Sequence, residues 1–161
     1  MLDALFKPKG VAVIGASSKA LHIGNRVIKN LIDFGYKGGI YPINPKAEEI
    51  LDLPCYKSVK DVPGPVDMAL VVVPARFVPS VFQELADIGT KGAVVITSGF
   101  SEAGEEGQKL VAETVRIANG NTRFIGPNCM GVTSSEAKLS ALISHTFTRP
   151  VRWLSSPRVA V

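Results

Sequence analysis

Two short turns carry the residues best suited to chemistry. Gly15-Ala16-Ser17-Ser18-Lys19 follows an apolar run at residues 10–14 and precedes Gly24, which opens a helical pattern. Glycine permits a tight turn there, and a helix N-terminus offers N–H groups and partial positive charge to a pyrophosphate. Ser17 and Ser18 add hydroxyl donors. The same residues also suit an ordinary strand–helix turn with a serine cap, because the pattern is not a strict G-x-G-x-x-G. The second turn, Asn44-Pro45-Lys46, ends the short run at residues 39–43. A NAD-binding half-unit places an Asp or Glu about 20 residues past the glycine turn, against the ribose hydroxyls. An ammonium at that place attracts a ribose phosphate that a carboxylate would repel. The charge therefore points to a phosphorylated adenine nucleotide.

Three more turns end in polar or rigid residues. Val73-Pro74-Ala75-Arg76-Phe77 stops the third apolar run, and Phe77 suits stacking on a ligand and core packing equally. Thr97-Ser98-Gly99-Phe100-Ser101-Glu102 reads as a polar turn with a free-standing aromatic. Gly126-Pro127-Asn128-Cys129-Met130-Gly131 is too rich in Gly, Pro and Asn to serve only as a connector. Cys129 by itself also suits a small buried apolar position.

These turns need a scaffold that brings them to one edge, and the apolar pattern supplies it. Continuous runs at residues 11–14, 40–43, 68–73, 93–96 and 123–125 have the length and Val/Ile content of strands covered on both faces. Helical spacing fills the gaps. Ile23, Val27, Leu31 and Phe34 share a face that stops at Gly35, residues 78–88 stop at Gly89, and residues 105–118 begin with acids and end near Arg116 and Asn119-Gly120. Residues 53–56 read as a short edge strand before a proline-rich connector. Alternation of this kind predicts an α/β, doubly wound parallel sheet with right-handed crossovers, whose ligand lies beyond the carboxyl ends of the strands.

With 161 residues and 46% hydrophobic content, the chain suits one domain with a proper core. A net charge of +4 favours anionic ligands, but no basic run is dense enough for a nucleic-acid stripe. Cys55 and Cys129 lack disulfide-scaffold or metal spacing. No apolar run reaches membrane length and no signal pattern opens the chain, so a cytoplasmic protein with reduced thiols is expected.

Taken in order, Val13-Ile14-Gly15-Ala16-Ser17, Tyr41-Pro42-Ile43-Asn44-Pro45-Lys46, Val72-Val73-Pro74-Ala75, Ile96-Thr97-Ser98-Gly99-Phe100 and Gly126-Pro127-Asn128-Cys129-Met130-Gly131 resemble a known family. It is the N-terminal CoA-binding domain of nucleoside-diphosphate-forming acyl-CoA synthetases, relatives of the succinyl-CoA synthetase alpha subunit. The resemblance implies a Rossmann-like CoA-binding fold at residues 1–138 and coenzyme A as ligand. It places residues 16–19 at the CoA phosphates, Lys46 near the ribose phosphate, residues 96–98 against the CoA, and the turn of residues 126–129 at the border of the same site. CoA carries a 3′-phosphate that meets the charge argument. NADP, with a 2′-phosphate, meets it equally, and only the family separates the two.

In that family a second α/β domain carries a histidine that becomes phosphorylated, and an ATP-grasp portion completes the enzyme. Neither is found here. His22 reads as a helix-start surface residue and His145 falls in an unpatterned stretch, so neither is assigned catalysis. Residues 139–161 are expected to be an irregular tail. One permitted set of codons for residues 152–161, read one frame over, encodes Val-Ala-Leu-Val-Thr-Pro-Arg-Gly-Gly, similar to the family's next strand and glycine turn. A frameshifted synthetase is the corresponding expectation. The piece should bind CoA, partner further synthetase domains or subunits, and catalyse nothing alone. A free-standing CoA-binding regulatory protein and an NADP-dependent oxidoreductase domain are the competing readings.

Overall fold

In the computed structural model, which describes residues 2–144, five parallel strands form the central sheet. After a one-turn helix α1 (Asp3–Phe6), strand β1 (Gly10–Ile14) leads into helix α2 (Ile23–Asp33) and strand β2 (Gly39–Ile43). A two-residue hairpin follows, β3 (Glu49–Ile50) with β4 (Leu53–Pro54). Then come β5 (Met68–Val71), α3 (Val78–Asp87), β6 (Gly92–Val95), α4 (Glu105–Ala118) and β7 (Arg123–Ile125). The sheet order is β2-β1-β5-β6-β7. Tyr56 adds a single parallel bridge to Ile43 on the outer side of β2, its N–H donating to the Pro42 carbonyl at 2.9 Å. Pro42 is tolerated because this is the sheet edge. Counting Tyr56 as a vestigial strand gives the doubly wound order of dinucleotide-binding sheets, with its reversal between β1 and β5.

Strand residues alternate between two cores. Val11, Val13, Met68, Leu70 and Val94 pack with Val27, Ile28 and Leu31 of α2. Ala12, Ile14, Ala69, Val71, Ala93 and Val95 pack with Phe82 and Leu85 of α3 and Ala118 of α4. Sheets covered this way leave no polar face, which is why the runs are continuous in the sequence. The α2 face differs from the expected one: Val27 and Leu31 are buried, but Ile23 is exposed and Ile28 is fully buried. The third strand ends at Val71, two residues early, because Val72 makes the last bond toward β1 and Pro74 cannot continue the ladder.

Two further expectations change. Phe100 is not free-standing; it is 1% exposed, packed in the α3/α4 core. The expected irregular stretch from residue 139 starts instead with a strand, β9 (Leu139–Leu142), paired antiparallel with β8 (Gly131–Ser134). Leu139, Ser140 and Ala141 are buried, with Leu139 and Ala141 in the α2-side core, so the hairpin supplies cover that a boundary at residue 138 would remove. Residues 145–161, with His145 and the proposed frameshift, lie outside the described residues.

Candidate functional site

Each expected site residue lies at the carboxyl edge of the sheet, but the residues fall into two connected groups. In the first, the N–H groups of Gly15 and Ala16 both donate to the Ile43 carbonyl, at 3.1 and 3.2 Å, which ties the glycine turn to the end of β2. Asn44 completes the tie: its Nδ2 donates to the Ala16 carbonyl at 2.7 Å, and its Oδ1 accepts from the Lys46 N–H at 2.8 Å. The Ser17 carbonyl accepts from Asn25 Nδ2 at 2.8 Å, and Ser17 Oγ accepts from the Lys19 N–H at 3.2 Å. Gly24 is required by packing, since a Cβ there would strike the Gly15 carbonyl and lie 2.9 Å from Ala16 Cα. Beneath Asn44 sits the Cys55 thiol, whose pKa burial pushes up, so it stays neutral.

Ser18, Lys19, Pro45 and Lys46 are exposed on this edge. Among the described residues the Lys19 and Lys46 ammonium groups have no ion-pair partner, so an arriving anion has no existing pair to break. The α2 N-terminus is partly occupied, however. His22 caps it, Nδ1 accepting from the Gly24 N–H at 3.2 Å, and the His22 carbonyl accepts from Asn25 and Arg26. These bonds leave fewer free N–H groups at the helix end.

The second group lines a cleft of about 470 Å³. Val73, Pro74, Ile96, Thr97, Ser98, Asn128 and Cys129 all border it. Thr97 Oγ1 donates to the Val73 carbonyl at 2.7 Å, and the Asn128 N–H donates to the Thr97 carbonyl at 2.9 Å, which locks three strand ends together. Cys129 Sγ lies 3.4 Å from the Val95 carbonyl. Gly126 and Asn128 take positive φ values of 103° and 54°, and a Cβ on Gly126 would collide with the Val95 carbonyl. The Gly-Pro-Asn-Cys sequence is thus needed to fold the turn hard onto β6. Just outside, the Gly99 N–H donates to Glu102 Oε1 at 2.6 Å and holds that carboxyl below its usual range. The two groups touch at Gly15, whose Cβ position would lie 3.0 Å from the Val72 backbone.

His22, Ile23, Val72, Met130 and Ile143 also line the cleft and were not among the expected site residues. Met130 adjoins a motif that was recognised, and His22 shows a capping signal. Nothing local marks Ile143. Phe77 is 47% exposed, stacks under the Arg76 guanidinium at 4.6 Å and does not border the cleft. A more open basin of about 560 Å³, lined by Lys7, Lys9, Tyr36, Lys37 and Lys138, lies at the opposite edge, by the amino ends of β1 and β2. Ligands of open parallel sheets bind beyond the strand carboxyl ends, where the smaller cleft lies. Among the described residues there is no cluster of three or more metal-ligating side chains, and no helix is long and apolar enough to cross a membrane.

Residues 9–135 match the CoA binding domain family. The chain belongs to that family. The CoA-binding domain is 48% identical over 154 residues to the alpha subunit of acetate–CoA ligase [ADP-forming] I from Pyrococcus furiosus, covering 92% of this chain and 33% of the relative. It is 46% identical over 145 residues to acetate–CoA ligase [ADP-forming] I from Archaeoglobus fulgidus, covering 89% of this chain and 21% of that one. Among solved structures, the dinucleotide forming acetyl-coenzyme A synthetase 1 of Ca. Korarchaeum cryptofilum, in complex with phosphate and ADP, superposes with a TM-score of 0.84 at 43% identity. That match covers 89% of this chain and 31% of the other. The CoA-binding domain thus spans about a third or less of these three relatives. Coenzyme A is its ligand.

Proposed function

We propose that this domain is the CoA-docking part of an acyl-CoA synthetase that forms a nucleoside diphosphate, and that it holds CoA along the carboxyl edge of the sheet. The single observation that carries this reading is the division of that edge. One half, Ser18, Lys19 and Lys46 beside the half-buried Ser17, is donor-rich and cationic. The other half is a cleft with Val72, Ile96, Met130 and Ile143 in its lining. CoA has the same two halves, a phosphorylated adenosine and a neutral pantetheine arm. On this reading the turn at Gly15, Ala16, Ser17, Ser18 and Lys19 meets the diphosphate, and Asn44 and Pro45 hold Lys46 toward the 3′-phosphate. Val73, Pro74, Ile96, Thr97 and Ser98 flank the arm, which runs toward Asn128 and Cys129.

The residues supply binding, orientation and shelter from water, and His22, which lines the cleft, is engaged in capping α2 through Nδ1. When bound, CoA supplies the thiol that becomes acylated. Phosphoryl transfer and acyl activation belong, on this reading, to further domains or subunits, the partners this chain would serve. Residues 1–138 then form the CoA-binding unit together with the β9 strand.

Calorimetric titration of the full chain with CoA, adenosine 3′,5′-bisphosphate and NADP tests the reading. CoA should bind most tightly, the bisphosphate more weakly and NADP weakest. NADP binding as tight as CoA would refute it. A labelled-phosphoryl assay should give no phosphoprotein from this chain alone; a labelled histidine would refute the binding-only role.

A further inference from the structure

Asn30 is fully buried on α2, yet it is polar and faces no solvent. Its Nδ2 donates to two carbonyls, those of Leu142 and Ser144, each at 2.8 Å. Its Oδ1 is buried without a partner among the described residues. Between the two carbonyls sits Ile143, whose own N–H donates to the Met130 carbonyl at 3.1 Å. Residue 143 is therefore pinned on three sides, and both Ile143 and Met130 line the cleft. The opposite end of the same helix contributes His22 and Ile23 to that lining. A polar group kept in a core at the cost of an unpaired oxygen calls for a reason, and here it fixes one side of the cleft.

We propose that Asn30 is a positioning residue for coenzyme A: it holds the segment that follows β9 so that Ile143, with Met130, forms the wall against the pantetheine arm. This rests on the CoA reading of the cleft but goes further, because it assigns recognition of the arm to a segment outside the five-stranded sheet.

The test compares CoA with adenosine 3′,5′-bisphosphate, which lacks the arm, by calorimetry on the full chain. Ile143→Ala and Asn30→Leu should each weaken CoA about fivefold to tenfold, from loss of a few apolar contacts, while bisphosphate affinity stays within about twofold. A purely structural role would weaken both ligands in parallel, and that result, or no change in either, overturns the proposal. Hydrogen exchange on the unsubstituted chain decides the matter even if Asn30→Leu fails to fold. CoA should slow exchange at residues 142–144 and the bisphosphate should not; equal effects of the two overturn it. An unsubstituted chain that binds neither ligand would remove the CoA reading itself, a different failure.

Discussion

Replacing Lys46 by Ala, with CoA and dephospho-CoA as paired ligands, isolates one electrostatic contact. The Lys46 N–H is anchored by Asn44 Oδ1, so the segment stays in place when the side chain is shortened. The ammonium is exposed and without an ion-pair partner among the described residues, so its removal leaves no orphaned charge behind. Two unit charges about 4 Å apart attract by roughly 1 kcal/mol in water and about 4 kcal/mol at an effective dielectric near 20. A phosphate monoester carries more than one charge, which raises the figure. Exposure and ordering of a long side chain pull it back toward the values of surface pairs. The net is about 1 to 1.5 kcal/mol, fivefold to tenfold in Kd. Calorimetry at low salt should therefore show CoA weakened by that factor in Lys46→Ala, dephospho-CoA nearly unchanged, and the difference shrinking to about twofold at high salt. Equal weakening of both ligands would refute the contact with the 3′-phosphate.

Asn44→Leu removes the donor to Ala16 and the acceptor for Lys46, and should cost about 1 to 3 kcal/mol in denaturant unfolding, with a Tm lower by roughly 3–10 °C. Gly24→Ala drives a Cβ into the glycine turn and should destabilise by about 1 to 3 kcal/mol; calorimetry should show CoA binding weakened more than by Lys46→Ala, because the whole turn must shift. Burial pushes the Tyr36 hydroxyl up to about 12. Its folded value exceeds the unfolded one near 10, so the stability it contributes is full below pH 10 and lost as pH rises toward 12. Tyr36→Phe should abolish that part of the alkaline loss in urea titrations, while losing at all pH values the hydrogen bond to the Pro8 carbonyl at 2.7 Å. Glu102, held down by the Gly99 N–H, works in the opposite sense. Its contribution is present above its ordinary value near 4.5 and lost as pH falls further, so Glu102→Gln should flatten the acid limb of unfolding.

The five-stranded sheet was legible because burial on both faces leaves a local mark, a run of Val, Ile and Ala with no polar interruption. The turns were legible because their demands are local too: a positive φ at Gly15, a proline after Val73, a lysine where a carboxylate would serve a plain ribose. Phe100 was misjudged for the complementary reason. An aromatic inside Thr-Ser-Gly-Phe-Ser looks exposed, and only the approach of Gly107 to the Phe100 carbonyl shows the turn folded under α4. The β8–β9 hairpin was missed because its strands are short and carry Thr and Ser, so their pattern resembles a loop.

From the sequence came the parallel layout and, with the family resemblance, coenzyme A as ligand and seven of the residues that border the cleft. Folding in three dimensions decided which turns meet: Asn44 on Ala16, Thr97 between Val73 and Asn128, and Ile143 held by an asparagine more than a hundred residues earlier in the chain. Local runs report burial, which each segment expresses by its own composition. A cleft wall is a relation between distant segments, and hydrogen bonds across such distances leave no periodic trace in either one.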